Sequence, residues 1–375
     1  MSTRATTGSP DLKVKPSVLF ASLKVCIQNK IPVFVWGPPG VGKSHIVRQA
    51  SDAVGKESGQ KRGFRDIRLA IRQPVDICGV PVADLKNSTT RWLTPSFFPR
   101  TGVDEEFGSI FLDELNSAVQ AVQAASYQLV LDRAIGEYLV PNGWAILAAG
   151  NRAEDRALTY DMPSALRRRF VHLEVEPDVD DWIKWANAHA IDYRVMAFIK
   201  FKGVSGLFDF DPRQHTRSFP TPATWHTISN LLGCGVKPTT TGVGKALITG
   251  AVGNAAATEF IAYCDLFAEL PTVEEILDKG VLPPCPSSMD RRYGLSMMLT
   301  SSLNATPDDR YMERLRRFST YVMARFPSDF FADALIRVFE TKIFAKHQYD
   351  FFHQTAEGKE LMSRLGPLSD HLIQK

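Results

Sequence analysis

The stretch "GPPGVGKS" at residues 37–44 carries the spacing of a phosphate-binding loop: Gly37, four residues, then Gly42, Lys43 and Ser44. The first glycine closes a strand in a tight turn, and the later one lets backbone N–H groups close on phosphate oxygens. The lysine reaches the terminal phosphates, the hydroxyl ligates Mg²⁺, and the helix that follows directs its N-terminus at the anion. The expected contacts are Gly37, Pro38, Pro39, Gly40, Val41, Gly42, Lys43, Ser44 and His45. Gly-Val-Gly-Lys recurs at 242–245, but Thr239 stands where the first glycine belongs and Ala246 where the hydroxyl belongs. The turn-like "KPTTT" precedes it in place of a strand, so a single nucleotide site is expected.

Three further groups complete a phosphoryl-transfer set. "GSIFLDELNSA" ends an apolar run in Asp113 and Glu114, suited to holding Mg²⁺ and to polarising an attacking water. An exposed acidic pair opening a helix is the plainer reading of those carboxylates. "NGWAILAAGNR" ends another apolar run in Asn151, whose amide could touch both γ-phosphate and water, although Gly-Asn also favours turns. "MPSALRRRFVHLEVE" sets Arg167, Arg168 and Arg169 before a short strand. Guanidinium groups suit developing phosphoryl charge and can arrive from a neighbouring subunit; a solvated basic face is the alternative.

These residues need strands behind them. "IPVFVW", "SIFL" and "WAILAAG" are β-branched, aromatic or apolar runs of buried-strand type, and helical stretches alternate with them from 17 to 177. That alternation predicts an α/β fold, a parallel sheet with helices on both faces and its ligand at the C-terminal strand ends. Residues 1–15 are polar and read as a disordered lead-in, followed by a nucleotide-binding core over 16–177. Beyond 178 the character turns helical, with a helical lid over 178–235 and a mostly helical C-terminal region over 236–375. Trp182 and Trp185 read as lid packing, and the loop-like stretch 208–222 as an ordered turn near the site. Five arginines over 310–325 lie beside a seam of Met312, Leu315, Phe318 and Val322, which favours an amphipathic helix over a nucleic-acid reader.

The order of Gly37–Ser44, Asp113-Glu114, Asn151 and "ALRRRF" resembles the AAA+ ATPases, as Walker A, Walker B, sensor 1 and the arginine-finger region. "FLDELNSA" and the stretch 68–100 are similar to the MoxR-type branch found in bacteria and phages. The resemblance implies ATP and Mg²⁺ as cofactors, Lys43 on phosphate, Ser44 and Asp113 on the metal, and Glu114 as the water-activating residue. It makes Asn151 sensor 1 and Arg169 the finger, with Arg168 second. It also implies a ring, commonly hexameric, that remodels a protein client, often through a von Willebrand A-type adaptor. Ala223 stands where a sensor 2 arginine is expected, leaving Arg213 or Arg217 as substitutes and lid closure in question.

Composition narrows the setting. A net charge of +3 is too small to argue for nucleic acid or an anionic membrane. No apolar run approaches the length of a membrane span, and no signal peptide is read at the start. Cys26, Cys78, Cys234, Cys264 and Cys285 are widely spaced and read as reduced thiols of a cytoplasmic protein. The irregular stretch 72–108 is the candidate surface for passing motion to a client, with a plain structural insertion as the alternative. Two other activities stay open: an ATP-driven nucleic-acid motor or loader, and a nucleotide-gated scaffold that scarcely hydrolyses.

Overall fold

The computed structural model describes residues 13–155, 159–214 and 216–365. They divide into two compact units, the first running to Asp178 and taking in residues 210–214, the second holding the remainder.

The first unit is built on six parallel strands in the order β1-β10-β2-β9-β6-β3. They are β1 (Lys13–Val14), β2 (Val33–Trp36), β3 (Arg62–Arg68), β6 (Phe107–Asp113), β9 (Gly143–Gly150) and β10 (Val171–Val175). The central three are almost wholly buried, as parallel strands covered on both faces must be. Side-chain alternation divides them: Phe34, Ile110, Leu112, Ile146 and Ala148 join one cluster with Val122 and Leu129 of α4 (Gln120–Asp132). Helix α1 (Pro16–Asn29) packs on β9, and α2 (Lys43–Ser58) on β9, β6 and β3.

Two small antiparallel hairpins interrupt this pattern. Strands β7 (Ala134–Ile135) and β8 (Tyr138–Leu139) turn through Gly136, and β4 (Val80–Asp84) pairs with β5 (Thr89–Leu93). The second corrects the irregular stretch expected over 72–108. A short helix α3 (Pro74–Cys78) leads into it, and the Asp84 carboxylate accepts from the N–H groups of Lys86 and Asn87 at the turn. Such local side-chain bonds give a turn its own stability, which hydrophobic periodicity does not register.

Two sequence boundaries also move. The lead-in expected over 1–15 gives way at Lys13–Val14, which pair with Glu174 and Val175 as strand β1; the rest of that expectation lies outside the described residues. In the second unit, helices span α6 (Val179–Ala188) to α16 (Ala356–Leu365) around two apolar clusters. One cluster reaches from Trp182 to Cys264 with Met297, and the other from Leu270 to Leu365. The cores therefore change over near 265–270, beyond the 235/236 boundary read from sequence. The helix expected around 308–325 is α13 (Asp308–Arg325), burying Tyr311, Leu315, Phe318 and Val322. Among the described residues no helix is long and apolar enough to cross a membrane.

One close approach packs β9 tightly against β6. The Trp144 ring lies on the backbone of β6, so a Cβ at Gly108 would sit 2.6 Å from its ring carbons, while its indole N–H donates to the Glu105 carbonyl at 2.9 Å. Gly108→Ala is expected to cost about 1–3 kcal/mol of overpacking, read as a lower denaturation midpoint with an unchanged slope in urea.

Candidate active site

Strand register decides which side chains can meet. Trp36 lies opposite Gly150 across β2 and β9, and Leu112 opposite Ala148 across β6 and β9. The chain therefore leaves all three strands at one edge, delivering Gly37, Asn151 and Asp113 together. Gly42 has φ 102°, a left-handed conformation that favours glycine, and it caps α2 without a side chain to occupy the first helical N–H groups. Those groups are what an anion at a helix start would use.

The Lys43 ammonium donates to the carbonyls of Gly37 at 2.7 Å and Pro38 at 3.1 Å, and to the Asn151 side-chain oxygen at 3.0 Å. Burial pushes its pKa down to about 8, against the pull of the Asp113 and Asp155 carboxylates. An ammonium so desolvated gains from every added negative oxygen, which suits it to phosphate. The Ser44 hydroxyl donates to Asp113 Oδ2 at 2.8 Å, and the Glu114 N–H to Asp113 Oδ1 at 3.0 Å. Ser44 and Asp113 form a pair of hard oxygen donors, of the type that fits Mg²⁺. Glu114 itself has φ 56°, a left-handed conformation uncommon outside glycine and of the kind found at functional sites.

The arginine cluster sits elsewhere. Helix α5 (Ser164–Arg167) runs into β10, whose first residue Val171 lies opposite Val33 at the start of β2. At about 3.3 Å per residue, that level is about 13 Å of strand short of Gly37. Arg168 and Arg169 are exposed and make no ion pair among the described residues. So the strand ends bring together Lys43, Ser44, Asp113, Glu114 and Asn151, and leave the two arginines at the opposite edge.

Of the remaining loop residues, Pro38 and Val41 are buried, Pro39 is partly so, and Gly40 and His45 are exposed. Ala223 lies exposed in the first turn of α9 (Pro222–Gly233), and Arg213 is held by Asp211 at 3.0 Å. The second Gly-Val-Gly-Lys opens helix α10 (Gly242–Val252) without a preceding strand.

Three residues escaped the sequence reading. Asn116, almost fully buried, donates from Nδ2 to the Asn151 carbonyl at 2.7 Å and so ties the Asp113 segment to the Asn151 segment. Arg152 bonds Asp155 through Nη2 at 2.6 Å and Glu174 through Nη1 at 3.1 Å, both carboxylates being buried. Burial works against its charge, yet the Asp155 and Glu174 bonds hold its pKa above the ordinary range. Asp66 on β3 has its carboxyl held above its usual range by burial and by the Asp113 charge. Asn116 stands three residues after Asp113, but its role, like those of the others, depends on contacts between distant segments, which no local pattern encodes.

The sequence profile of the AAA domain (dynein-related subfamily) matches residues 32–170. No curated protein sequence matches the chain. NtrX from Brucella abortus in complex with ATP is a structural neighbour at 14% identity and TM-score 0.37, covering 95% of this chain and 68% of its own. A RuvB point mutant from Thermotoga maritima aligns at 15% identity and TM-score 0.32, covering 93% of each chain. At those TM-scores neither likeness carries an argument.

Asn116→Ala removes the tie to Asn151 without touching the loop. Hydrolysis is expected to fall about tenfold to a hundredfold with nucleotide affinity within about threefold, measured by steady-state turnover and nucleotide titration. Site geometry and profile agree on residues 32–170: this stretch matches the AAA domain profile, and the chain is an ATPase.

Proposed function

We propose that this chain is a MoxR-like AAA+ ATPase that hydrolyses ATP at subunit interfaces of a ring, a hexamer by the same resemblance, to remodel a protein client. The observation that carries the reading is the separation of two half-sites on one sheet. Lys43, Ser44, Asp113, Glu114 and Asn151 gather at the C-terminal strand edge, while Arg168 and Arg169 lie level with the opposite edge. A guanidinium there serves a neighbouring copy better than its own loop, as fingers supplied in trans do.

In this mechanism the loop backbone and Lys43 hold the β- and γ-phosphates, and Asn151 moves from Lys43 to the γ-phosphate and the attacking water. Glu114 orients that water and takes up its proton. Ser44 and Asp113 would hold Mg²⁺, which when bound neutralises phosphate charge. Arg169 of the neighbouring copy, with Arg168 beside it, stabilises the charge that builds on the transferring group, and its loss on hydrolysis loosens the contact. The exposed β4–β5 hairpin, with Val80, Val82, Leu85, Trp92 and Leu93 facing solvent, is the proposed client-contacting surface, directly or through a von Willebrand A-type adaptor. Five free thiols suit a reducing compartment and support placement in the cytoplasm.

A nucleic-acid motor is less well supported, because Arg314, Arg316 and Arg317 of α13 are already committed. Arg314 is bidentate to Asp278 at 2.7 Å, Arg316 pairs with Glu357, and Arg317 with Glu313. Turnover of the full chain is expected to rise with an unfolded protein such as casein and to stay flat with double-stranded DNA; DNA stimulation that fades steeply with salt would reverse the preference.

Shared sites make a second prediction. Turnover per subunit should rise with protein concentration, Glu114→Gln and Arg169→Ala should each fall at least about a hundredfold, and an equal mixture should regain part of the activity. A rate independent of concentration, with Arg169→Ala fully active, would remove the arginine from the mechanism.

A further inference from the structure

A chain of two hydrogen bonds, through Trp36 and His172, runs from the phosphate loop toward the arginine turn. Trp36 is the last residue of β2 and immediately precedes Gly37; its indole N–H donates to His172 Nδ1 at 2.9 Å. The other ring nitrogen, His172 Nε2, lies 2.8 Å from the carbonyl oxygen of Arg167. Indole nitrogen can only donate and a carbonyl can only accept, so Nδ1 must be bare and Nε2 must carry the proton. Both bonds are made by a single state of the imidazole, the neutral Nε2–H tautomer. Rings hold it from the side as well: His172 stacks on Trp36 with centroids 6.0 Å apart and leans on Phe34 and Phe170.

The Arg167 carbonyl is the point of interest. It closes α5 and also accepts from the Phe170 N–H at 3.3 Å, so its two acceptor sites are both taken, one by the turn and one by His172. The residues between those two bonds are Arg168 and Arg169. With exposed side chains and no ion pair among the described residues, they depend on this backbone turn for their direction.

We propose that His172 is a positioning residue that fixes the turn presenting Arg168 and Arg169 to the neighbouring subunit, anchored on the strand that feeds the same chain's phosphate loop. The proposal rests on the reading of Arg169 as a finger acting in trans. It differs from that reading in assigning the finger's aim to the Trp36–His172–Arg167 hydrogen bonds.

The test uses full-length His172→Phe, which keeps an aromatic ring in the stack and removes both ring nitrogens. Turnover at saturating ATP is expected to fall about tenfold to a hundredfold with the nucleotide dissociation constant changed less than about threefold. Mixing tells where the defect acts. If His172 works through the arginines, an equal mixture with Glu114→Gln regains activity, because Glu114→Gln subunits offer intact fingers to His172→Phe sites, and a mixture with Arg169→Ala does not. The reverse pattern, recovery with Arg169→Ala alone, would put the defect in the chain's own phosphate loop and overturn the proposal. Unchanged turnover overturns it equally. The Glu114→Gln and Arg169→Ala mixture run alongside separates the two levels: no recovery there removes the trans finger and this proposal with it, whereas recovery there with the wrong partner preference removes only the role of His172. Trp36→Phe cuts the same chain of bonds from the other end and must show the same partner preference, which keeps the test decisive if His172→Phe folds poorly.

Discussion

Lys43 is an ammonium held largely out of water, and such a group is tolerable only where oxygens replace the solvent it has lost. Three do: two carbonyls of its own loop and one amide oxygen from a strand more than a hundred residues later. That third partner is the demanding one. It requires β9 to run beside β2 in parallel and to end at the same level, so that Gly150 faces Trp36 and Asn151 falls opposite the loop. The buried apolar runs of β2, β6 and β9, the helices that cover them, and the Trp144 ring seated on β6 all serve that one alignment.

The site is further constrained by ties between neighbours, each linking two chain segments. Asn116 binds the Asp113 segment to the Asn151 segment, Arg152 binds the end of β9 to β10 through Glu174, and His172 binds the end of β2 to the close of α5. Each of these groups is short of alternatives, because its partner atoms are buried or already doubly bonded. A displacement at one strand end is then transmitted to the next, since hydrogen-bonded pairs in a low-dielectric setting are costly to leave half made. Such bonding is what a machine that converts phosphate occupancy into motion would require.

Legibility in the sequence followed the range of the interactions. The loop, the Asp113–Glu114 strand end and Asn151 were readable because each motif is a local word: a strand, a turn and a reactive residue within about ten positions. The parallel sheet followed from alternation, and α13 from its apolar spacing. What escaped was settled by contacts between distant segments. Lys13–Val14 becomes a strand only because β10 offers it a partner, and Asn116 looks like any polar residue after an acidic pair until Asn151 lies against it. The hairpin over 80–93 was hidden for the opposite reason. Its strands are exposed on both faces, so neither face needed an apolar alternation that a reader could detect.

The two ends of the six-stranded sheet carry a consequence of their own. Any open parallel sheet offers unpaired N–H and C=O groups along its flanks, where another chain's strand could add itself without limit. Among the described residues one flank is only two residues long, Lys13–Val14, which offers an added strand few ladder bonds. The other, β3, reads Arg-Gly-Phe-Arg-Asp-Ile-Arg, so an added strand would have to strip water from charged side chains along its length. Both margins thereby disfavour an added strand, while the apolar hairpin of the same unit stays open to solvent. Crowded copies of this chain are accordingly expected to resist fusing sheet to sheet.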